Sequence, residues 1–198
     1  MKVKYFTFVI LILVAVSFFG CAKKTKHDNN LKPYLDQYNK LDQEDLKSDF
    51  LYGSDFETVS GLTAKGKKKE VLYFPSNVKE IAKNSISSEN LKKVVFTSNI
   101  KEINPFSVVN CPKLEELVFL NSFKTRGAVA AKLPNLKKTL FINSNVSIER
   151  DAMFLDTPRQ KEFRIVNSNL EYQNKQLIVK ESGENKLAYV ADDFDYQF

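Results

Sequence analysis

The side chains able to do chemistry are few. The 198-residue chain holds one histidine, His27, and two cysteines, Cys21 and Cys111. A nucleophilic triad needs a base beside its nucleophile, and His27 stands in a polar stretch with nothing near it to orient an imidazole. A multi-histidine metal centre is excluded by the count alone. The six glycines form no Gly-rich loop, so a phosphate-cradling motif is absent. Glu115 and Glu116 are adjacent carboxylates, but neighbours in a strand point to opposite faces. They are poorly placed to flank one glycosidic bond. Asp192-Asp193-x-Asp195 lacks the glycine and terminal glutamate of a calcium loop. The sequence therefore predicts no catalytic residue, no metal site, no small-molecule substrate and no enzyme activity.

Cys21 is the exception, because of what precedes it. Lys2 and Lys4 give a positive start, and residues 6–19 are apolar apart from Thr7 and Ser17. Such a stretch makes ~21 Å of helix, short of a ~30 Å hydrocarbon core. It reads as a secretory signal rather than a membrane span. Phe18-Phe19-Gly20-Cys21 closes it and resembles the lipobox of bacterial lipoproteins. The resemblance implies diacylglyceryl transfer to the Cys21 thiol and cleavage after Gly20, so that residues 1–20 are a signal peptide. It further implies export and a lipid anchor in a bacterial membrane, at the cell surface or outer membrane. The covalent lipid on Cys21 is then the sole attached group, and no cofactor is expected. Removing residues 1–20 takes away two lysines and no acids, leaving 28 basic against 24 acidic residues, or +4. That charge is screened beyond ~8 Å at physiological salt. An exported chain without a basic cluster interleaved with aromatics is not expected to meet nucleic acid. Cys111, the one remaining thiol, has no partner for an intramolecular disulfide.

The elements that must position any site come next. Residues 21–32 read as the lipidated cysteine and a polar, flexible tether. Residues 33–62 read as a capping region. Tyr34, Leu35, Tyr38, Leu41 and Leu46 recur at helical spacing, with Pro33 near the first turn, where its missing N–H costs nothing. Two strands follow, at residues 50–52 and 56–62, around Gly53-Ser54-Asp55.

Beyond them the chain repeats itself. Ser76-Asn77-Val78-Lys79-Glu80-Ile81 returns 22 residues later as Ser98-Asn99-Ile100-Lys101-Glu102-Ile103. Phe74, Phe96, Phe119, Phe141 and Ile165 follow one another at intervals of 22, 23, 22 and 24. Leu-x-x-Leu-x-Phe places its last two apolar residues on one face of a short strand. One unit cannot cover that row, but stacked units bury it continuously. The fold expected is a mainly β solenoid of about five rungs at ~4.8 Å spacing. Asn and Ser recur after each anchor (Ser76-Asn77, Ser98-Asn99, Asn121-Ser122, Asn143-Ser144, Asn167-Ser168), as turn residues that satisfy backbone groups. Lys92-Lys93, Glu115-Glu116, Lys137-Lys138 and Lys161-Glu162 alternate in sign from rung to rung, predicting cross-strand pairs.

The second half of each unit recurs as Ile81-x-x-x-Ser85-Ile86, Ile103-x-x-x-Ser107-Val108 and Ile148-x-x-x-Ala152-Met153. With Cys111-Pro112-Lys113-Leu114 behind it, this pattern over residues 58–170 resembles the BspA-type leucine-rich repeat. The resemblance implies a repeat array, placed at 63–170, whose Cys111 faces the core. It departs at Thr139, at Gln160 and around Gly127-Ala128-Val129, where an Ala-Phe pair is missing. Residues 171–198 read as a hairpin, Leu177-Ile178-Val179 against Leu187–Val190, capping the last rung, with an acidic and aromatic tail.

Residues just before the anchors, Tyr73, Val95, Val118, Leu140 and Arg164, face away from the core. Residues just after them (Pro75, Thr97, Leu120, Ile142, Val166) are expected to return to the core side or its margin. The outward strip is a candidate partner-binding site unless the N-terminal helix lies over it, which is the reading in front. The family resemblance implies a non-catalytic surface for protein interaction or adhesion by a surface lipoprotein. The alternative is a scaffolding lipoprotein of the periplasm or envelope, without outward display. Either way a protein partner of unknown identity and a membrane are expected.

Overall fold

In the computed structural model the described residues are 28–97, 99–150 and 152–190. The signal stretch, Cys21, His27 and the tail at 192–198 lie outside them. The chain enters through helices α1 (Asp28–Tyr38) and α2 (Gln43–Lys47), then strands β1 (Phe50–Tyr52) and β2 (Thr58–Leu62). A short 3-10 turn at Gly66–Lys68 leads into the coil. Successive turns lay down β3 (Val71–Tyr73) and β4 (Glu80–Ile81), then β5 (Lys93–Phe96), β6 (Glu102–Ile103) and β7 (Val108–Val109). Next come β8 (Glu116–Phe119), β9 (Phe123–Thr125) and β10 (Ala130–Ala131), then β11 (Lys138–Ile142), β12 (Val146–Ile148) and β13 (Phe154–Leu155). After β14 (Glu162–Val166) the chain closes with β15 (Leu170–Gln173), β16 (Gln176–Glu181) and β17 (Glu184–Val190).

Like strands of each turn pair in parallel. The front sheet runs β14-β11-β8-β5-β3, the second face β1-β2-β4-β6-β9-β12, and the third β13-β10-β7. This is the β solenoid that the repeats predict. Its five front strands stack Phe96 on Phe119 on Phe141 in register, and Phe141 on Ile165. Ring centroids are 5.3 Å apart for Phe74–Phe96, 4.6 Å for Phe96–Phe119 and 4.9 Å for Phe119–Phe141. All four rings are fully buried. Phe50 extends the ladder by one ring, 5.0 Å from Phe74. Ile165 is half-buried at the far end, where Phe163, Tyr172 and Tyr189 cluster under the closing antiparallel sheet β15-β16-β17.

The polar residues hold the turns as their side chains require. Asn77 Nδ2 donates to the Phe56 carbonyl, Asn99 to Ser76 and Asn121 to Ile100. Ser144 Oγ donates to the Phe119 carbonyl at 3.1 Å, and Asn167 Nδ2 to Asn143 Oδ1 at 2.9 Å. Asn143 and Asn167 also take a left-handed backbone (φ 53° and 48°), which asparagine adopts more cheaply than most residues. The alternating charges meet as expected: Lys93–Glu116 at 2.7 Å, Lys137–Glu115 at 3.0 Å and Lys138–Glu162 at 3.1 Å. Such surface pairs contribute roughly 0.2–1 kcal/mol each, enough to favour one register.

The two unlike residues of the repeat turn out to be partners. Thr139 and Gln160 are both buried, and Thr139 Oγ1 donates to Gln160 Oε1 at 3.2 Å. Gln160 Nε2 then donates to the Glu162 carbonyl at 3.0 Å. A buried hydroxyl and a buried amide replace two aliphatic residues without leaving either unsatisfied.

Two expectations need correction. On the third face Val108 pairs with Ala130, and Ala130 with Phe154. The last unit thus aligns through Met153-Phe154, one residue later than Ala152-Met153, and the Ala-Phe position near residue 128 is filled by Val129-Ala130. The last unit carries an additional residue between Ile148 and Met153, and the left-handed backbone just before the paired residues is kept, at Ala152 (φ 79°) as at Asn84 (φ 56°) and Phe106 (φ 59°). Helix α1 also starts at Asp28, within the stretch read as tether, so Pro33 lies inside it rather than near its first turn.

Candidate interaction surface

The front sheet alternates strictly. Phe119 points in, so Val118 and Leu120 both point out. Tyr73, Val95, Val118, Leu120, Leu140, Ile142 and Val166 accordingly form a second apolar cluster, separate from the Phe ladder. Leu120, Ile142 and Val166 therefore do not return to the core side, because the strand continues past its anchor with the same period of two.

That outer row is not open. Tyr73 is 5% exposed, and Val95, Val118 and Leu140 are fully buried. Leu46 of α2 joins their cluster, with Tyr34, Tyr38 and Leu41 packed against it. The Tyr38 ring lies 6.3 Å from that of Tyr73, and Lys93 Nζ sits 4.9 Å over the Tyr34 ring. Burial, with the Glu116 carboxylate nearby, pushes the Tyr34 phenol up to about 12. The candidate partner strip Tyr73, Val95, Val118 and Leu140 is thus the floor beneath the N-terminal helices, and of the five residues Arg164 alone is exposed. Amphipathic helices and an apolar sheet face cover each other because neither could stay in water without cost.

The helices are fixed at the β3 end. Asp42 caps α2, accepting from the Asp45 N–H at 2.9 Å. Gln43 Oε1 accepts from the Ser76 N–H at 2.9 Å, tying α2 to the first turn. The carboxylate of Asp49, 2% exposed, lies 3.6 Å from Lys65 Nζ and 3.4 Å from Lys69 Nζ. A Cβ at Gly66 would stand 2.1 Å from the Asp49 carbonyl oxygen, so this close approach requires glycine.

Beyond that end lies an open depression of about 730 Å³. Phe50, Tyr52 and Phe56 line it together with Glu44, Asp55 and Glu57, and Lys47 stands at its margin. Asp55 accepts from the N–H groups of Glu57 and Thr58 and from Thr58 Oγ1, and these bonds hold its carboxyl below the usual range. Sequence reasoning read this segment only as two strands of the capping region around Gly53-Ser54-Asp55. The depression is formed by residues 33 apart at its extremes, Glu44 and Asn77, with no local pattern to mark it.

Cys111 is fully buried, its Sγ 3.4 Å from the Val109 carbonyl. Burial pushes the thiol up to about 11. The folded protein therefore holds this proton more tightly than the unfolded chain. Below pH 9 the group has no effect on stability, and stability falls as pH rises from 9.0 to about 11. A thiol reagent at pH 8 is expected to label Cys111 only after denaturation, and rapid labelling of the native protein would contradict its burial.

Among the described residues no group of three or more His, Cys, Asp or Glu side chains could hold a metal ion. No helix among them is long and apolar enough to cross a membrane. No curated protein and no solved structure matches the chain. A family model does: the BspA type leucine rich repeat region matches residues 65–177 in six copies. Those residues span more than half of the 198 and coincide with the stacked turns and their first closing strands, so the chain belongs to the BspA-type leucine-rich repeat family.

Proposed function

We propose that this protein is a non-catalytic lipoprotein of the bacterial cell envelope that presents its repeat array for protein–protein interaction or adhesion. The family supports the coarser part: it points to an interaction or adhesion repeat region and is typically non-catalytic. The six-copy repeat array carries this reading. The finer part is supported by Cys21 and the apolar segment before it. Export, the anchor in the membrane and outward display are parts of the proposal, as is the absence of any cofactor beyond the lipid on Cys21. The partner is a protein, met at the surface left after the helices have covered the front sheet.

Cys21→Ala tests the anchor. The variant is expected to leave the membrane fraction and appear soluble, while the parent is extracted only with detergent. Unchanged membrane fractionation would contradict the lipoprotein reading. Protease treatment of intact cells tests display. Loss of the protein supports outward presentation, and full protection would instead support the scaffolding role inside the envelope.

A further inference from the structure

The two ends of the array are not equivalent. Tyr38 meets Tyr73 of β3, whereas Tyr34, one helical turn earlier, lies against Lys93 of β5 and feels the charges of Glu116 on β8 and Arg164 on β14. Helix α1 thus crosses the front strands along the axis of the array. A helix advances ~1.5 Å per residue and rungs are ~4.8 Å apart. From Tyr34 back to Asp28 the helix covers ~9 Å, or roughly two further rungs. The chain therefore enters over the β11–β14 side of the front sheet. The β1–β2 pole is the opposite end of the array.

At that far pole Phe56 is 71% exposed and Leu51 52%. Phe56 also takes a left-handed backbone (φ 56°), as Asn does at 84, 110, 143, 167 and 174 and as Phe106, Lys132, Ala152, Asp156 and Lys175 do. A bulky side chain there is strained, and its exposure returns no burial to the fold. Beside it the depression holds three carboxylates, Glu44, Asp55 and Glu57, against Lys47 in its lining and Lys79 next to Glu57, on a chain whose formal charge is +6. Two of these acids are engaged only in exposed pairs, Glu44 with Lys47 and Glu57 with Lys79, each at 2.6 Å. Such pairs exchange partners at little cost.

We propose that this pole is a docking site for a Lys- or Arg-bearing peptide segment of a partner protein. Its cationic side chain lodges against Phe56 and Tyr52 among the carboxylates of Glu44, Asp55 and Glu57. A cation over an aromatic face gains from the ring quadrupole, and the acidic rim selects cations over neutral or acidic side chains.

This inference rests on the interaction role proposed above and adds its site and the chemistry of the partner. The test uses the full-length protein in detergent micelles and a fluorescein-labelled heptapeptide, Gly-Ser-Arg-Thr-Arg-Ser-Gly, followed by fluorescence anisotropy. A second peptide carries citrulline, the neutral isostere, for arginine. The arginine peptide is expected to bind saturably, with the citrulline peptide and the Phe56→Ala variant each weaker by roughly tenfold. Glu57→Gln is expected to lose several-fold. Unchanged circular dichroism of Phe56→Ala separates loss of the site from loss of the fold. Absence of saturable binding, equal binding of the citrulline peptide or full affinity of Phe56→Ala would each overturn the proposal. So would a concentration-dependent dimer that Phe56→Ala abolishes, since the pole would then serve a second copy. Peptide binding can fail while surface display and the Cys21 anchor persist, so failure here is distinguishable from failure of the wider role.

Discussion

Phe119→Ala is expected to cost about 3–5 kcal/mol, the range for truncating a fully buried aromatic. Phe119 is the ring with the most ring neighbours in the ladder: Phe96 at 4.6 Å, Phe141 at 4.9 Å and Phe123 at 5.0 Å. The rungs above and below are fixed by backbone pairing. They have little room to collapse into the void, which places the cost high in that range. The loss is a large share of the ~5–15 kcal/mol that a typical domain has in total. Denaturant unfolding followed by circular dichroism measures it. A repeat array can lose all-or-none behaviour, so a broadened transition on the β14 side is a further expected signature. A change below about 1 kcal/mol, far under the large-to-small range, would show that the rings are not stacked.

Val118→Asp is the second severe substitution, on the opposite side of the same strand. Val118 is fully buried, in register with Val95 and Leu140. A carboxylate there meets apolar side chains from the sheet below and the helices above. It must either ionise unpaired or take a proton, and both outcomes cost several kcal/mol. The expected result is a loss of at least about 3 kcal/mol or failure to fold. Leu51→Asp, at an exposed position, serves as the control and is expected to change stability by no more than about 0.5 kcal/mol. A Val118→Asp protein as stable as its parent would show that the front sheet is open to solvent after all.

What the residues alone disclosed follows from how local each signal is. The ladder of Phe74, Phe96, Phe119 and Phe141 was legible because stacking one residue type on itself at a constant interval leaves a period in the chain. The pairing of Lys93 with Glu116 and of Lys138 with Glu162 was legible for the same reason. The slip at Met153-Phe154 came from one inserted residue between Ile148 and Met153, which shifts every later position in the alignment. The placement of Leu120, Ile142 and Val166 on the outer face needed only the strand period, carried one residue further than the repeat motif itself runs.

The cover over the front sheet was expected from its two halves. Tyr34, Tyr38, Leu41 and Leu46 show an apolar helix face, and Tyr73, Val95, Val118 and Leu140 show an apolar strip. Their meeting is a tertiary event that no spacing records. The same holds for the depression at the β1–β2 pole, which joins the α2 segment, the hairpin loop and Asn77. Conversely, Thr139 and Gln160 looked like two separate faults in the repeat. Their side chains satisfy each other across adjacent rungs, so the second departure compensates the first.

Selective aromatic NOE spectroscopy, with the phenylalanine rings isotopically labelled, tests the stacked architecture most directly. The account predicts an unbroken series of contacts from Phe74 to Phe96 to Phe119 to Phe141, residues 22 or 23 apart in the chain. Rings that contact only their sequence neighbours, or that show no contacts with one another, would contradict it.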